Sequence, residues 1–323
     1  MINHNEIHEG SLSVVCLLPV YNDWESFRIL REKTLVALAD RHYFQVHFVV
    51  VNDCSPEFYS PMPEESNLTI INLKINVGHQ RAIAIGLQYI QDQMTGFDCV
   101  VVMDSDGEDR PEDTAKLIEA ARAANGQKII FARRRKRQES WIFKTGYFFY
   151  KHIFYALTGQ QINFGNFSCI PQILLKRIVV QDNLWNHYSG SIIQSRIPFD
   201  SILLDRGKRY HGVSKMKFTN LVLHGLSSIA VYFDSLSVRI LKMSLVGFVF
   251  CLVSAAVVLY MRLFSHTAIP GWASSILFMI FSIVLQLSSV TLIVLLMQLS
   301  SRKNVKAPDE TIYQKFILNV DDF

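Results

Sequence analysis

The stretch "CVVVMDSDGEDRP" (99–111) places three aspartates, Asp104, Asp106 and Asp109, at the end of an apolar run. Like charges this close repel and raise one another's pKa. A bound cation removes that penalty, so the spacing raises a divalent ion as the reason for the cluster. Pro111 suits the first turn of a helix, and Asp109 just before it reads as a carboxylate at that helix's N-terminus rather than as a metal ligand.

Elements that could position such a loop are visible on both sides of it. "LSVVCLLPV" (12–20), "VHFVVVND" (46–53), "LTIINL" (68–73), "CVVVMD" (99–104) and "KIIFAR" (128–133) are continuous apolar, β-rich runs. Helical patterns over 24–39, 79–93 and 112–124 separate them. Buried strands alternating with helices predict an α/β fold with a mostly parallel sheet covered on both faces. Ligands of such sheets bind beyond the carboxyl ends of the strands. The polar clusters "PVYND", "NDCSPE" and "DSDGED" all fall there. No G-x-G-x-x-G follows the first strand, and no G-x-x-x-x-G-K-[ST] occurs, which excludes the usual dinucleotide and P-loop signatures. An EF-hand fails too, because its sixth loop position needs glycine and Asp109 stands there.

The 323 residues are half hydrophobic, with a formal net charge of +4 and five cysteines. That apolar content is uneven. "MSLVGFVFCLVSAAVVLYM" (243–261) and "WASSILFMIFSIVLQLSSVTLIVLLMQLSS" (272–301) contain no charged residue, and each is long enough to span a hydrocarbon core of about 30 Å. Buried core helices are the competing reading, but they seldom avoid charge for so long. Arg239, Lys242, Arg302, Lys303 and Lys306 flank the hairpin ends while its loop carries only Arg262, so the positive-inside rule puts both ends in the cytoplasm. The N-terminus lacks the basic and apolar regions of a signal peptide. Scattered cysteines without metal-ligand spacing read as small buried hydrophobes in a reducing compartment.

Four motifs in order, "LLPVYND", "VVVNDCSPE", "INVGHQRAIAIGL" and "VVMDSDGEDRPED", resemble the family 2 glycosyltransferases of the GT-A fold. "FARRRKRQESWIFKTGYFFYKHIFYALTG" and "RYHGVSK", followed by two spans, look like its polyprenyl-phosphate glycosyltransferases. That group includes dolichol-phosphate mannose synthases and bactoprenol glucosyltransferases. The resemblance implies a nucleotide-sugar domain over 1–220, a juxtamembrane amphipathic helix over 221–238, and two transmembrane helices within 239–301 (about 239–261 and 272–300). A cytoplasmic tail over 302–323 completes the chain. It implies Mg²⁺ or Mn²⁺ held directly by Asp106, with Asp104 on the ribose or reaching the metal through water. Pro19, Tyr21, Asp23, Asp53, Asn76 and Gly78 would line the sugar-donor site, although Asn76 and Gly78 read equally well as a simple turn. Gly86, inside a helix, reads as a close-packing position. Arg133, Arg209, Ser214 and Lys215 would hold the acceptor phosphate, and Asp104, Asp106, Arg133, Arg209 and Lys215 would carry catalysis.

One departure from the family stands out. "GQQINFGNFSCI" (159–170) has Asn166 and Ser168 where relatives often carry Asp and Arg, and an amide cannot act as a general base. A polyprenyl phosphate is already largely a dianion at pH 7, with a second pKa of about 6, and needs none. The resulting expectation is inverting transfer from a UDP-sugar to a polyprenyl phosphate at the cytoplasmic face of a bacterial inner membrane. A homo-oligomer is expected, with a separate flippase and a downstream transferase as partners and no nucleic acid. The alternatives are a membrane glycosyltransferase with a hydroxyl acceptor, and an inactive nucleotide-sugar-binding scaffold.

Overall fold

A computed structural model of the chain describes residues 11–39, 44–61, 65–134, 152, 154–155, 158–159, 164–211, 229–264, 271–303 and 311–323. The chain divides into two compact units, 1–146 with 161–231 and 308–323, and 147–160 with 232–307.

The first unit is built on β1 (Leu12–Val20), α1 (Trp24–Ala39), β2 (Phe44–Asn52), β3 (Leu68–Leu73), α2 (His79–Gln93), β4 (Cys99–Val102), α3 (Pro111–Ala123) and β5 (Ile129–Arg134). Every run and helix read from the sequence up to residue 134 is present. Beyond it come β6 (Ser168–Pro171), α4 (Gln172–Val179), α5 (Tyr188–Ser195) and β7 (Phe199–Leu204). A last strand, β8 (Ile317–Asp322), follows the second unit in sequence. The sheet order is β7-β5-β6-β4-β1-β2-β3-β8. β1 pairs in parallel with β2 and β4, β2 with β3 and β5 with β7, whereas β6 is antiparallel to both of its neighbours and β8 is antiparallel to β3.

Alternate residues of each central strand face opposite layers, so both sets must be apolar. Leu17, Val49 and Val51 pack with α2 on one face. Cys16, Leu18 and Val50 pack with α1 and α3 on the other. Gly86 lets α2 lie close to the sheet, since a Cβ there would meet Leu17 Cδ1 at 2.3 Å. Cys54 departs from the expectation of buried cysteines: it is exposed, with a φ of 60°.

Residues 317–322 correct the expectation of a C-terminal tail, because they form the edge strand beside β3. Tyr313, just before them, is 2 % exposed, and its hydroxyl donates to Asp92 Oδ2 at 2.6 Å. Asp321 Oδ2 accepts from Asn72 Nδ2 (2.8 Å), and Asn72 Oδ1 accepts from Asn52 Nδ2 (2.8 Å). Asn52 Oδ1 in turn accepts from the Ser55 N–H at 3.0 Å. Buried amides thus tie the last strand to the loop after β2.

The second unit contains α6 (Phe233–Phe264) and α7 (Trp272–Lys303), each of 32 residues. They run antiparallel: Asp234 near the start of α6 accepts from Gln298 near the end of α7 at 2.5 Å, and Gly247 faces Leu287. Both are long and apolar enough to cross a membrane, with mean hydropathy 2.4 over the most apolar window. Only 17 % and 0 % of those windows is buried by protein, which removes the reading as core helices. The expected amphipathic helix over 221–238 lies largely outside the described residues, and its last residues belong to α6.

Candidate active site

The loop from Asp104 to Arg110 leaves the carboxyl end of β4 and turns into α3. Asp109 does not cap that helix. It is 4 % exposed, and its Oδ2 accepts the Asp104 backbone N–H at 3.0 Å, while its Oδ1 faces Arg134 Nη2 at 3.4 Å. Asp109 therefore folds the loop back on itself. Asp106 Oδ1 accepts the Glu108 N–H at 2.9 Å, and its Oδ2 receives Arg209 Nη2 at 2.5 Å.

A strap over 205–211 lies across this loop. The Gly207 N–H donates to Glu108 O at 2.8 Å and the Tyr210 N–H to Asp106 O at 3.0 Å, while Arg206 pairs with Glu108. Two glycines permit the approach. Gly107 has a φ of 87° and a Cβ there would meet the Tyr210 ring at 2.5 Å; one on Gly207 would meet Gly107 O at 2.3 Å.

Electrostatics answer the question raised by the three aspartates. Burial, then the charge of Asp104, pushes Asp106 up to about 6 and Asp109 up to about 7. Burial also works to raise Asp104, but His79, by charge and hydrogen bond, together with Arg134 and Asn166 outweighs it and holds Asp104 below the ordinary range. For His79, crowding by protein opposes the charged form, yet Asp104, Asp106 and Asp109 together outweigh it and its pKa lies above the usual value.

His79 Nε2 faces two partners, Asp104 Oδ1 at 3.1 Å and Asn166 Nδ2 at 2.9 Å. One nitrogen cannot donate to the first while accepting from the second. With Nε2 as acceptor for the amide, Asp104 Oδ1 is a buried oxygen with no hydrogen-bond donor. Protonating Nε2 would instead serve Asp104 and leave the amide unanswered.

This loop fits a divalent cation. Among the described residues no three His, Cys, Asp or Glu side chains form a metal-holding group. None is required, because Mg²⁺-type sites use one or two carboxylates and take their other ligands from phosphates and water. The raised Asp106 and Asp109, and the guanidinium lying on Asp106, mark a loop short of positive charge.

The remaining expected residues divide. Asp53, 3 % exposed, accepts the Val77 N–H at 2.7 Å and the Gly78 N–H at 2.9 Å, and its backbone oxygen accepts from Asn76 Nδ2 at 3.0 Å. Both of its carboxylate oxygens thus hold the turn before α2, with Gly78 at a φ of 86°. Asp23 accepts from Ser26 Oγ at 2.6 Å and opens α1. Pro19 is buried in β1, and Tyr21 is exposed. Arg133 is exposed, whereas Arg134, one position on and therefore on the other face of β5, meets the acidic loop. The two-residue period of the strand decides which of the two neighbouring arginines meets the acidic loop. Ser214 and Lys215 lie outside the described residues.

Sequence reasoning missed His79 and Gln80, although both stand inside the quoted "INVGHQ". The available signal was their place in the first turn of a helix that follows a glycine turn at the carboxyl edge of the sheet. Gln80 Oε1 accepts the Tyr188 N–H at 2.7 Å, and its Nε2 donates to Asn166 Oδ1 at 3.3 Å.

The family model described as Glycosyl transferase family 2 matches residues 15–182, just over half of the chain. The chain is similar to Mycobacterium tuberculosis glucosyl-3-phosphoglycerate synthase in complex with Mn²⁺, uridine diphosphate and glucosyl-3-phosphoglycerate. Identity is 13 % and the TM-score 0.47, over 69 % of this chain and 80 % of that one. For the same synthase with Mn²⁺ and UDP-glucose, the values are 14 % and 0.47, over 69 % and 79 %.

Proposed function

This chain belongs to glycosyl transferase family 2, and on that premise we propose that it transfers a sugar, with inversion, from a nucleoside-diphosphate sugar to a polyprenyl phosphate. The resemblance favours UDP as the nucleotide. The observation that carries the choice of acceptor is Asn166: an amide, not a carboxylate, stands beside the acidic loop where an acceptor base is expected.

A phosphate monoester, with its second pKa of about 6, brings its own negative charge and needs no base. Its oxygen bonds to the anomeric carbon as the bond to the diphosphate breaks, and the electron pair leaves with the diphosphate. A divalent cation on Asp106 and Asp104 would supply charge stabilisation for that leaving group. Asp109 keeps the loop folded through the Asp104 N–H. Arg209, together with Ser214 and Lys215, would hold the acceptor phosphate, an arginine being able to grip it with two parallel hydrogen bonds. The chain's contribution to rate is then alignment and electrostatics.

Two apolar helices support a place in a bilayer, and their basic flanks support a cytoplasmic catalytic unit. In that setting the product would require a separate flippase and a downstream transferase. A hydroxyl acceptor is the second reading, favoured by the His79 imidazole 2.9 Å from Asn166, where it could take the hydroxyl's proton.

The test is to incubate purified protein with Mn²⁺ and a panel of UDP- and GDP-sugars, adding either undecaprenyl phosphate or undecaprenol, and to weigh the products. A glycosylated lipid phosphate supports the proposal. Transfer to the alcohol alone would overturn it in favour of the hydroxyl reading.

A further inference from the structure

Asp321 stands on the last strand, opposite Ile70 of β3, and reaches diagonally to Asn72. Its Oδ2 accepts from Asn72 Nδ2 at 2.8 Å and its Oδ1 from Asn319 Nδ2 at 2.9 Å. Asn72 lies opposite Asn52 in the parallel β2–β3 ladder, and its Oδ1 accepts from Asn52 Nδ2 at 2.8 Å. The chain closes on the Ser55 N–H, which donates to Asn52 Oδ1 at 3.0 Å. Both ends fix its direction, because a carboxylate can only accept and a backbone N–H can only donate. The two buried amides between them are therefore locked head to tail.

What this chain holds is strained backbone. Cys54 has a φ of 60° and Asn22 a φ of 52°. Such left-handed conformations are costly for residues other than glycine and persist only where their surroundings enforce them. Ser55 joins the two: Asn52 holds its N–H, and its Oγ accepts the Asn22 N–H at 3.0 Å. Asn22 lies between Tyr21 and Asp23, and Cys54 follows Asp53, all three expected to line the sugar-donor site.

We propose that Asp321 is a positioning residue for the nucleotide: from the last strand it sets the direction of the Asn72–Asn52 chain, and so the two left-handed turns that shape the donor site. Without an acceptor at position 321 the Asn72 amide can turn over. Its nitrogen would then face the nitrogen of Asn52, and a matching turn of Asn52 would set that nitrogen against the Ser55 N–H. The inference rests on the nucleotide-sugar reading of the proposed function, but on neither the cation ligands nor the acceptor.

Asp321→Asn and Asp321→Leu separate this role from charge. Both are neutral and close in size to aspartate, so any charge effect on an anionic nucleotide is the same in both, but only asparagine keeps an oxygen to accept from Asn72. The experiment titrates full-length protein calorimetrically with UDP and with GDP at saturating Mn²⁺, taking as probe whichever binds the wild type more tightly. Mn²⁺ alone is titrated by electron paramagnetic resonance. Asp321→Leu should weaken nucleotide binding about tenfold, the scale of one orphaned buried polar group. Asp321→Asn should stay within about twofold of wild type, and Mn²⁺ alone should bind both variants within about twofold as well. Asn72→Ala should show a similar nucleotide loss, and adding Asp321→Leu to it should change affinity less than about twofold, because the effect passes through Asn72.

Equal nucleotide affinities of Asp321→Leu and Asp321→Asn, additive losses in the double variant, or a parallel loss of Mn²⁺ affinity would overturn the proposal. Should Asp321→Leu fail to fold, wild-type nucleotide affinity in Asn72→Ala would overturn it equally. A wild type that binds neither nucleotide overturns the donor reading and this role with it, whereas nucleotide binding indifferent to Asp321→Leu overturns this role alone.

Discussion

Replacing Arg209 by glutamine should move two measurements in opposite directions. In the ligand-free structure the Arg209 guanidinium lies 2.5 Å from Asp106 Oδ2, with side chains 24 % and 14 % exposed. A cation arriving on Asp106 must displace it. With charge centres about 4 Å apart, the attraction is about 4 kcal/mol at an effective dielectric of about 20. Desolvation and screening of a partly exposed pair reduce the net value to about 1–2 kcal/mol. Arg209→Gln should therefore bind Mn²⁺ alone more tightly, by roughly five- to thirtyfold. Transfer to lipid phosphate should fall in the same variant, because the charge assigned to the acceptor is gone. Paramagnetic titration reads the first effect, and initial rates at saturating Mn²⁺ read the second. Unchanged or weaker Mn²⁺ binding would show that Arg209 does not compete for Asp106, and the strap would then have no part in admitting the cation.

Asp106→Ala should abolish transfer and Mn²⁺ binding together, and full activity of this variant in EDTA would sink the cation reading. With Asp106 at about 6, Mn²⁺ affinity should fall about tenfold between pH 7 and pH 5 as the carboxyl gains its proton; a flat titration refutes this. Because the folded Asp106 and Asp109 pKa values are raised, the native state holds more protons than the unfolded chain from about pH 4 to 7. These two groups therefore make the metal-free protein less stable as pH rises through that window, and added Mn²⁺ should raise the thermal midpoint more at pH 7.5 than at pH 5. Asn166→Ala should cost transfer about tenfold, or about 1.4 kcal/mol, and Asn166→Asp should not accelerate it; a large gain from the aspartate would mean that a base is needed after all. Tyr313→Ala should destabilise the catalytic unit by about 3 kcal/mol in denaturant unfolding of the full chain, since a large buried ring is lost where β8 joins the sheet; a change below about 0.5 kcal/mol would mean that the last strand adds nothing.

Local pattern was enough to read much of this protein. The strands and helices up to Arg134, the acidic loop after β4 and the two apolar helices all announce themselves within windows of fewer than about twenty residues, because periodicity and turn chemistry are short-range properties. Arg133 shows where that information ends. The sequence places an arginine after the fifth strand, but only the strand's register decides which of two neighbours turns to the acidic loop, and a slip of one residue exchanges the faces. The segment 302–323 looked like a tail because nothing within it reveals a partner; its strand is defined by β3, and Asp321 meets Asn72 across 249 residues. The same holds for Arg209 on Asp106, 103 residues apart, and for Asn166 against His79, 87 apart. Asp53 stands in a motif that pointed to a nucleoside, and only the fold shows that its carboxylate closes the turn before α2. Such pairings arise only once the sheet has closed and its carboxyl edge gathers loops distant in sequence, because hydrogen bonds and ion pairs depend on ångström-scale distances that no spacing along the chain encodes.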